Sequence, residues 1–492
     1  MGHGESCPLA RGFYDRFPAA RTAAVSAGTL TRETIREVAL AHEVCPYYLG
    51  QEVARWCDVI VGDYNHFFDS TAMLHGLTLA NSWRVAVLVD EAHNLVDRAR
   101  AMYSADLQSW QFRAIRTAAP ASLKPSFDRL QRIWTRLMKG LTEPYTVLDE
   151  PPRAFTSALQ DAAASISEHL AETPTAVDGA LLQFYFDALH FTRLLDTFGT
   201  HSLFDVTHED GRSSESARPN STLCVRNVLP APFLKPRFAS TRTTVLFSAT
   251  LTPSNFYGDT LGLPDDTAWL DVAAPFHADQ LTVHIARDVS TRYRHRSSSL
   301  VPIARLIASQ YEAIPGNYIA FFSSFDYLQQ AAGEFAARHP HVPTWQQGRR
   351  MDEAERAAFL ARFAVDGRGV GFAVLGGSFA EGIDLTGTRL IGAFIATLGL
   401  PQFNPVNEEL RRRLEAEFGA RHDYVYLFPG LRKVVQAAGR VIRTLTDCGV
   451  VHLIDDRFSR HEVLRLLPTW WRIESPSSRG VLAATTAEAD RG

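Results

Sequence analysis

The sequence predicts an α/β protein built on parallel sheets, and three observations carry that prediction. Apolar runs end abruptly in acidic or small hydroxylated residues: Val85-Ala86-Val87-Leu88-Val89 stops at Asp90-Glu91, Val245-Leu246-Phe247 runs into Ser248-Ala249-Thr250, and Asn317-Tyr318-Ile319-Ala320-Phe321-Phe322 runs into Ser323-Ser324. Short uninterrupted runs of this kind fit strands buried on both faces, as in a parallel sheet. Stretches 127–141 and 179–198 instead space their apolar residues by three and four, which is the helical period. A chain of 492 residues that is 46% hydrophobic has enough apolar mass for more than one core.

In chain order, residues 1–55 read as helix and loop around Cys7 and Cys45, and strand-like segments at 58–62 and 85–89 then open a first sheet. Helical periodicity without strand alternation fills 95–200. Residues 208–221, with Gly, Ser, Asn and Pro, read as a loop returning to the first sheet. A second α/β domain spans about 281–467, and the tail after Ile473 has the Ser, Ala and charge content of a disordered segment.

Net charge is −4, so no global basic field announces a polyanion partner, although a nucleic-acid groove needs only a local stripe of Arg and aromatic side chains. Five scattered cysteines, an odd number, argue against a disulfide scaffold and for a reducing, cytoplasmic setting. No signal-peptide pattern opens the chain, and no run of about 18 apolar residues is present to span a membrane. The longest candidate, 390–400, is short and ends in Pro401.

The chemistry concentrates in three places. A strand ending in Asp90-Glu91 delivers two carboxylates to the crevice outside the carboxyl ends of a parallel sheet. One can hold hydrated Mg²⁺ while the next orients an attacking water, with His93 placed to link them to other parts of the site. The competing reading makes the acids helix N-caps. Far downstream, Gln436-Ala437-Ala438-Gly439-Arg440-Val441-Ile442-Arg443 spaces Gln436, Gly439, Arg440 and Arg443 along one helical face. Arginine forks grip phosphate oxygens bidentately, so Arg440 and Arg443 suit a γ-phosphate; a solvated basic stripe is the alternative. Gly439 would cost about 1 kcal/mol in a helix interior, which suggests close approach of something there. Between the two lies the Gly-rich segment Gly376-Gly377-Ser378-Phe379-Ala380-Glu381-Gly382-Ile383-Asp384, with two more carboxylates.

In this order, from about Cys7 to Phe458, the segments resemble the superfamily 2 helicases, specifically the XPD/DinG-type branch that carries an iron-sulfur cluster. Asp90-Glu91-Ala92-His93 resembles motif II, Ser248-Ala249-Thr250 motif III, the Phe321-Phe322 strand motif IV, Glu381-Gly382-Ile383-Asp384 motif V, and Gln436 to Arg443 motif VI. Cys45-Pro46-Tyr47-Tyr48, followed by Asp58-Val59-Ile60-Val61-Gly62-Asp63-Tyr64-Asn65-His66-Phe67-Phe68-Asp69, is similar to the passage from the last cluster cysteine towards motif II, and Cys7-Pro8 to the penultimate ligand.

The resemblance implies two RecA-like parallel-sheet domains with a helical arch insertion and a partial iron-sulfur cluster domain. Its divisions are a cluster-domain remnant (1–55), the first RecA-like domain (56–98 and 206–280), the arch (99–205), the second RecA-like domain (281–472) and a tail (473–492). It implies ATP and Mg²⁺ as cofactors, with Asp90 on the metal, Glu91 on the water, His93, Gln436, Arg440 and Arg443 in the catalytic set, and Gly439, Glu381, Gly382 and Asp384 at the nucleotide. It also implies a 4Fe-4S cluster on Cys7 and Cys45, single-stranded or forked DNA as substrate, and 5′ to 3′ travel. Four thiolates are needed for such a cluster and only these two fit; Cys57, Cys224 and Cys448 read as core thiols.

One part is missing. The four lysines, Lys124, Lys139, Lys235 and Lys433, include none preceded by Gly, so the phosphate-binding Gly-Lys-[Ser/Thr] loop is not in the sequence. The chain is therefore expected to be N-terminally truncated relative to the family. Two alternatives stay open: a non-catalytic DNA-binding or partner-binding remnant, and an RNA-directed DEAH-type helicase, against which Cys45-Pro46-Tyr47 and the helical insertion speak. For DNA contact, Tyr64, Asn65, Phe67 and Phe68 are candidates against a core role for the two Phe, and Arg349-Arg350 against a solvated pair, whereas Arg411-Arg412-Arg413 is expected to face solvent.

Overall fold

The structure is a computed structural model and describes residues 7–173, 178–208, 220–377, 379, 384–419 and 422–474. The chain divides into two compact units, residues 1–249 with 257–265, and residues 250–256 with 266–492.

The first unit opens with helices Phe13–Ser26, Arg32–Ala41 and Pro46–Val53, which enclose Ala20, Ala24, Ala39, Val44, Leu49 and Val53. Thr31 starts the second of these by accepting a hydrogen bond from the Thr34 amide, and Pro46, already fixed near helical φ, starts the third. Six strands follow: β1 (Ala86–Val89), β2 (Ala105–Gln108), β3 (Tyr145–Leu148), β4 (Ser202–His208), β5 (Ser221–Asn227) and β6 (Thr243–Leu246). β1 and β6 pair in parallel, Val89 opposite Leu246, while β2-β5-β4-β3 form an antiparallel sheet.

Three expectations change here. Residues 58–62 form no strand; Val59 and Val61 are 79% and 95% exposed, and no ladder partner lies beside them among the described residues. The 95–200 region is not purely helical, because β2 and β3 interrupt it. The β4–β5 hairpin belongs to the sheet of that insertion rather than to the sheet of β1, so the boundary at 205 is displaced past Asn227. Pairing between β2 and β5, more than a hundred residues apart, leaves no local trace in sequence. The residues that join β4 to β5, 209–219, lie outside the described residues. Helices Ser109–Ala118, Lys124–Lys139, Arg153–Glu172 and Gly179–Asp196 cover the sheet through Phe112, Phe127, Trp134, Phe155 and Phe191, and the Trp134 indole donates to Ser221 Oγ at 3.0 Å.

The second unit holds β7 (Leu281–Ala286), β8 (Asn317–Phe322), β9 (Thr344–Gln346), β10 (Gly369–Val374), β11 (Gly392–Ala396), β12 (Gly449–Ile454) and β13 (Arg472–Glu474). They form one parallel sheet in the order β13-β7-β12-β11-β8-β10-β9. Alternation within β8 shows why it is apolar throughout. Ile319 and Phe321 enter the core under helices Glu353–Ala361 and Leu427–Ala438, while Tyr318, Ala320 and Phe322 enter the core under Arg296–Ala313 and Phe325–Arg338. Where β11 exits, Gly399 at φ 72 lies so close to the Leu427–Ala438 helix that a Cβ would sit 2.5 Å from the Gly430 carbonyl oxygen. The expected tail beyond Glu474 lies outside the described residues, and Ile473 itself belongs to β13.

Candidate functional site

In the first unit, Asp90 and Glu91 follow the carboxyl end of β1, and Ser248 follows that of β6. The ladder continues past both strands: Phe247 N donates to Val89 O at 3.0 Å and Ala92 N to Phe247 O at 3.1 Å. This register brings together side chains more than 150 residues apart in sequence. His93 Nδ1 lies 2.6 Å from Ser248 Oγ and 3.2 Å from Glu91 Oε2, and Ser248 Oγ lies 3.4 Å from the same carboxylate oxygen. His93 is 1% exposed and Glu91 61%, so a buried imidazole backs an open carboxylate. Asp90 is also exposed, and its Oδ1 accepts from the Glu91 amide at 2.7 Å.

Glu91 has φ 46 and ψ 42, a left-handed conformation that costs an ordinary residue roughly 1–2 kcal/mol. Tyr64 meets that strain from below: its hydroxyl lies against the carbonyl oxygens of Asp90 and Glu91, 2.9 Å from the latter. Burial first, then the Glu91 and Asp90 charges, push the phenol above its usual range and keep it a donor. Arg98 covers the Tyr64 ring at 5.7 Å and reaches Asp63 at 3.4 Å. Gly62, Asp63, Tyr64, Asn94 and Arg98 line a cavity of about 220 Å³ beside the acid pair. Tyr64 thus acts on the acid loop, whereas Phe67 and Phe68, 8% and 2% exposed, are core.

In the second unit the expected single helical face is not formed. The Leu427–Ala438 helix ends at Gly439 (φ −64, ψ −6), and Arg440 to Arg443 follow in turns. Gly439 is a C-cap, and among the described residues a Cβ there would meet carbonyls of its own helix, at 3.3 and 3.6 Å. Arg443 Nε lies 3.7 Å from Asp384 Oδ1, which is 75% exposed. Glu381 and Gly382 lie outside the described residues.

Asp447 organises this turn and was not singled out in the sequence. Its carboxylate accepts from the amides of Arg443 (2.7 Å), Thr444 (2.8 Å) and Gly387 (3.2 Å) and from the Thr444 hydroxyl (2.7 Å). Burial opposes its charge, but the Thr444 hydroxyl and these amides prevail and hold it below the ordinary carboxylate range. An Asp four residues after an Arg in a Thr-rich turn is the sequence signal by which it could have been found.

Cys7 and Cys45 line one cavity of about 480 Å³ with Phe13, Phe17, Tyr48 and Met73. A four-iron cluster takes four thiolates. Among the described residues no group of three or more His, Cys, Asp or Glu is placed to hold a metal, and the half-buried Cys57 donates to Val53 O at 3.3 Å. The residues present therefore do not complete such a site. Cys224 is buried, which raises its thiol to about 12, and Cys448, expected in the core, is exposed. Arg411, Arg412 and Arg413 pair with Glu408, Glu409 and Glu415 on an open helix, as the sequence suggests. No helix among the described residues is long and apolar enough to cross a membrane.

Comparison with known proteins places this geometry. Family models match residues 2–112 (DEAD_2) and 307–474 (helicase C-terminal domain). The general transcription and DNA repair factor IIH helicase subunit XPD of Dictyostelium discoideum is 22% identical over 565 residues, covering 93% of this chain and 69% of its own length. The ATP-dependent helicase DinG of Mycobacterium tuberculosis is 29% identical over 299 residues, covering 58% and 43% respectively. Among solved structures, an XPD helicase superposes with TM-score 0.60 at 18% identity, over 90% of this chain and 78% of that one. S. tokodaii Xpd4 superposes with TM-score 0.56 at 14% identity, over 95% and 100%.

Proposed function

We propose that this chain, a member of the XPD/DinG-type helicase family, acts as an ATP-dependent DNA helicase, with Asp90 and Glu91 at its hydrolytic centre. The observation that carries the assignment is the join between Glu91, His93 and Ser248, which ties the acid pair after β1 to the segment after β6. Phosphoryl transfer asks the protein mainly for positioning and charge. Asp90 supports Mg²⁺, and Glu91 orients the attacking water and takes its proton. His93, buried and in contact with both Glu91 and Ser248, fixes the carboxylate and passes its state to Ser248. Arg440 and Arg443 supply permanent positive charge for the γ-phosphate. Asp447 holds the Arg443 backbone, and Tyr64 holds Glu91 in its left-handed conformation. Single-stranded or forked DNA is the substrate.

Steady-state ATPase of the protein with and without single-stranded DNA, compared with Glu91→Gln, tests this. The helicase reading expects DNA-stimulated turnover that Glu91→Gln lowers about 100-fold or more, with DNA affinity unchanged. Turnover equal in both proteins removes Glu91 from its role, and DNA binding with no turnover in either overturns the hydrolytic assignment.

A further inference from the structure

Residues 291–296 follow β7 at the carboxyl edge of the second unit's parallel sheet, the edge at which ligands of such sheets sit. This loop is unusually well anchored. Asp455, fully buried at the end of β12, accepts from the Thr291 amide at 2.9 Å and from the Thr291 hydroxyl. Asp456 pairs with Arg292 at 2.6 Å, and Ser290 Oγ meets Arg292 Nη1 at 2.9 Å and His295 Nδ1 at 3.0 Å. On this fixed base stands Tyr293, 85% exposed.

Behind the ring lies Arg296, whose guanidinium carbon is 5.2 Å from the centroid of Tyr293 and 5.2 Å from that of the buried Tyr327. Its Nη2 donates to Ser323 Oγ at 2.9 Å, just past the end of β8, and its Nε has no hydrogen-bond partner among the described residues. Arg294 is exposed and has no carboxylate within ion-pair distance among the described residues. An aromatic face held open on a rigid loop, with one locked and one unengaged arginine beside it, is the combination that binds single strands: bases stack on the ring and phosphates meet the cations. A purely structural tyrosine needs neither the exposure nor the unengaged Arg294.

We infer that Tyr293, Arg294 and Arg296 form a contact for one nucleotide of single-stranded DNA, the base on Tyr293 and its phosphate at the arginines. This rests on the DNA-directed reading above and assigns part of the strand's path to the second unit. The test is fluorescence anisotropy of a labelled oligo-dT with the full 492-residue chain and its Tyr293→Ala, Tyr293→Phe and Arg294→Gln variants. Circular dichroism confirms that each variant is folded. Tyr293→Ala is expected to weaken binding roughly five- to one-hundred-fold while Tyr293→Phe, which keeps the stacking face, stays within about twofold of the unsubstituted chain. Arg294→Gln should lower the slope of log K against log salt by about 0.7, the share of one phosphate on a single strand. Arg412→Gln, on the open helix paired with Glu409, should change neither. Unaltered binding by Tyr293→Ala and Arg294→Gln overturns the contact, as does equal weakening by Ala and Phe. Failure of the unsubstituted chain to bind the oligomer overturns the DNA reading itself, and this contact with it.

Discussion

β8 and β1 have the same kind of sequence and opposite surroundings. Both are short apolar runs ending in polar residues, yet every residue of β8 is buried, whereas Leu88 in β1 is 69% exposed, with Val245 and Phe247 at the end of β6 47% and 45% exposed. β8 sits between β11 and β10 and under helices on both faces, while β1 has β6 as its partner among the described residues. Composition therefore sets the tendency to form a strand, and neighbours set what that strand contributes. The functional consequence differs too. The sheet of β8 is a rigid frame that presents its loops, and the β1–β6 pair is a small ladder whose value lies in aligning Glu91, His93 and Ser248.

The sharpest way to break this contrast is Phe321→Ala. Phe321 is fully buried in β8, and emptying its site is expected to cost about 3–5 kcal/mol, read as a lowered guanidinium midpoint of the second unit. A cost near 1 kcal/mol would mean that the frame is far looser than its burial implies.

Next in size is Asp455→Asn, which tests the anchor of the 291–296 loop. Burial opposes the Asp455 charge, but Arg457 and Thr291 outweigh it and bring the carboxyl down to about 2. A carboxylate depressed in the fold stabilises above its unfolded value near 3.9 and loses that contribution as pH falls through its folded value. The unsubstituted chain should therefore exceed Asp455→Asn by about 2 kcal/mol at neutral pH, a margin that shrinks between about pH 4 and pH 2. A margin independent of pH would refute the assignment.

How legible these regions were in sequence follows the same physics. β8 and β1 announce themselves because apolar runs are local, and Asp90-Glu91 is legible because it closes one of them. The small sheet of the insertion is not, since Ala105-Asp106-Leu107-Gln108 is no more apolar than a loop and acquires its strand identity from β5. Val59-Ile60-Val61 misleads in the opposite direction, being apolar without a ladder partner among the described residues. At 436–443 spacing alone suggests one helical face, but Gly439 is where the helix stops, and the turn beyond it is set by Asp447. The acid pair, the arginines, Tyr64 and Ser248 are legible as residue types; the bonds that join Tyr64 to the acid loop, His93 to Ser248 and Asp447 to Gly387 form only when distant segments are brought together.

Tyr64→Phe sharpens the local side of the comparison. It keeps the ring under Arg98 and removes the hydroxyl from the Asp90 and Glu91 carbonyls, so the expected loss is about 1 kcal/mol. Hydrogen exchange at the Ala92 amide, which bonds Phe247 O, should speed up in parallel, because the acid loop and the end of β6 share that bond. Unchanged exchange would show that Glu91 holds its conformation without help from below.

The smallest expected effect is the most discriminating. Leu88 is largely exposed, so Leu88→Ala removes side chain that already meets water and should change stability by no more than about 0.5 kcal/mol. The same substitution in a covered strand costs about 2–5 kcal/mol, because buried surface is lost and a cavity is left. The two outcomes are several-fold apart and are read from one denaturation curve of the first unit. A cost in the upper range means that another surface covers β1 in solution, and the opposition between an open ladder and a buried frame then disappears. A cost near zero establishes that the chain tolerates an apolar ladder in water, and that the alignment of Glu91, His93 and Ser248 is held by backbone register and hydrogen bonds rather than by a core around β1.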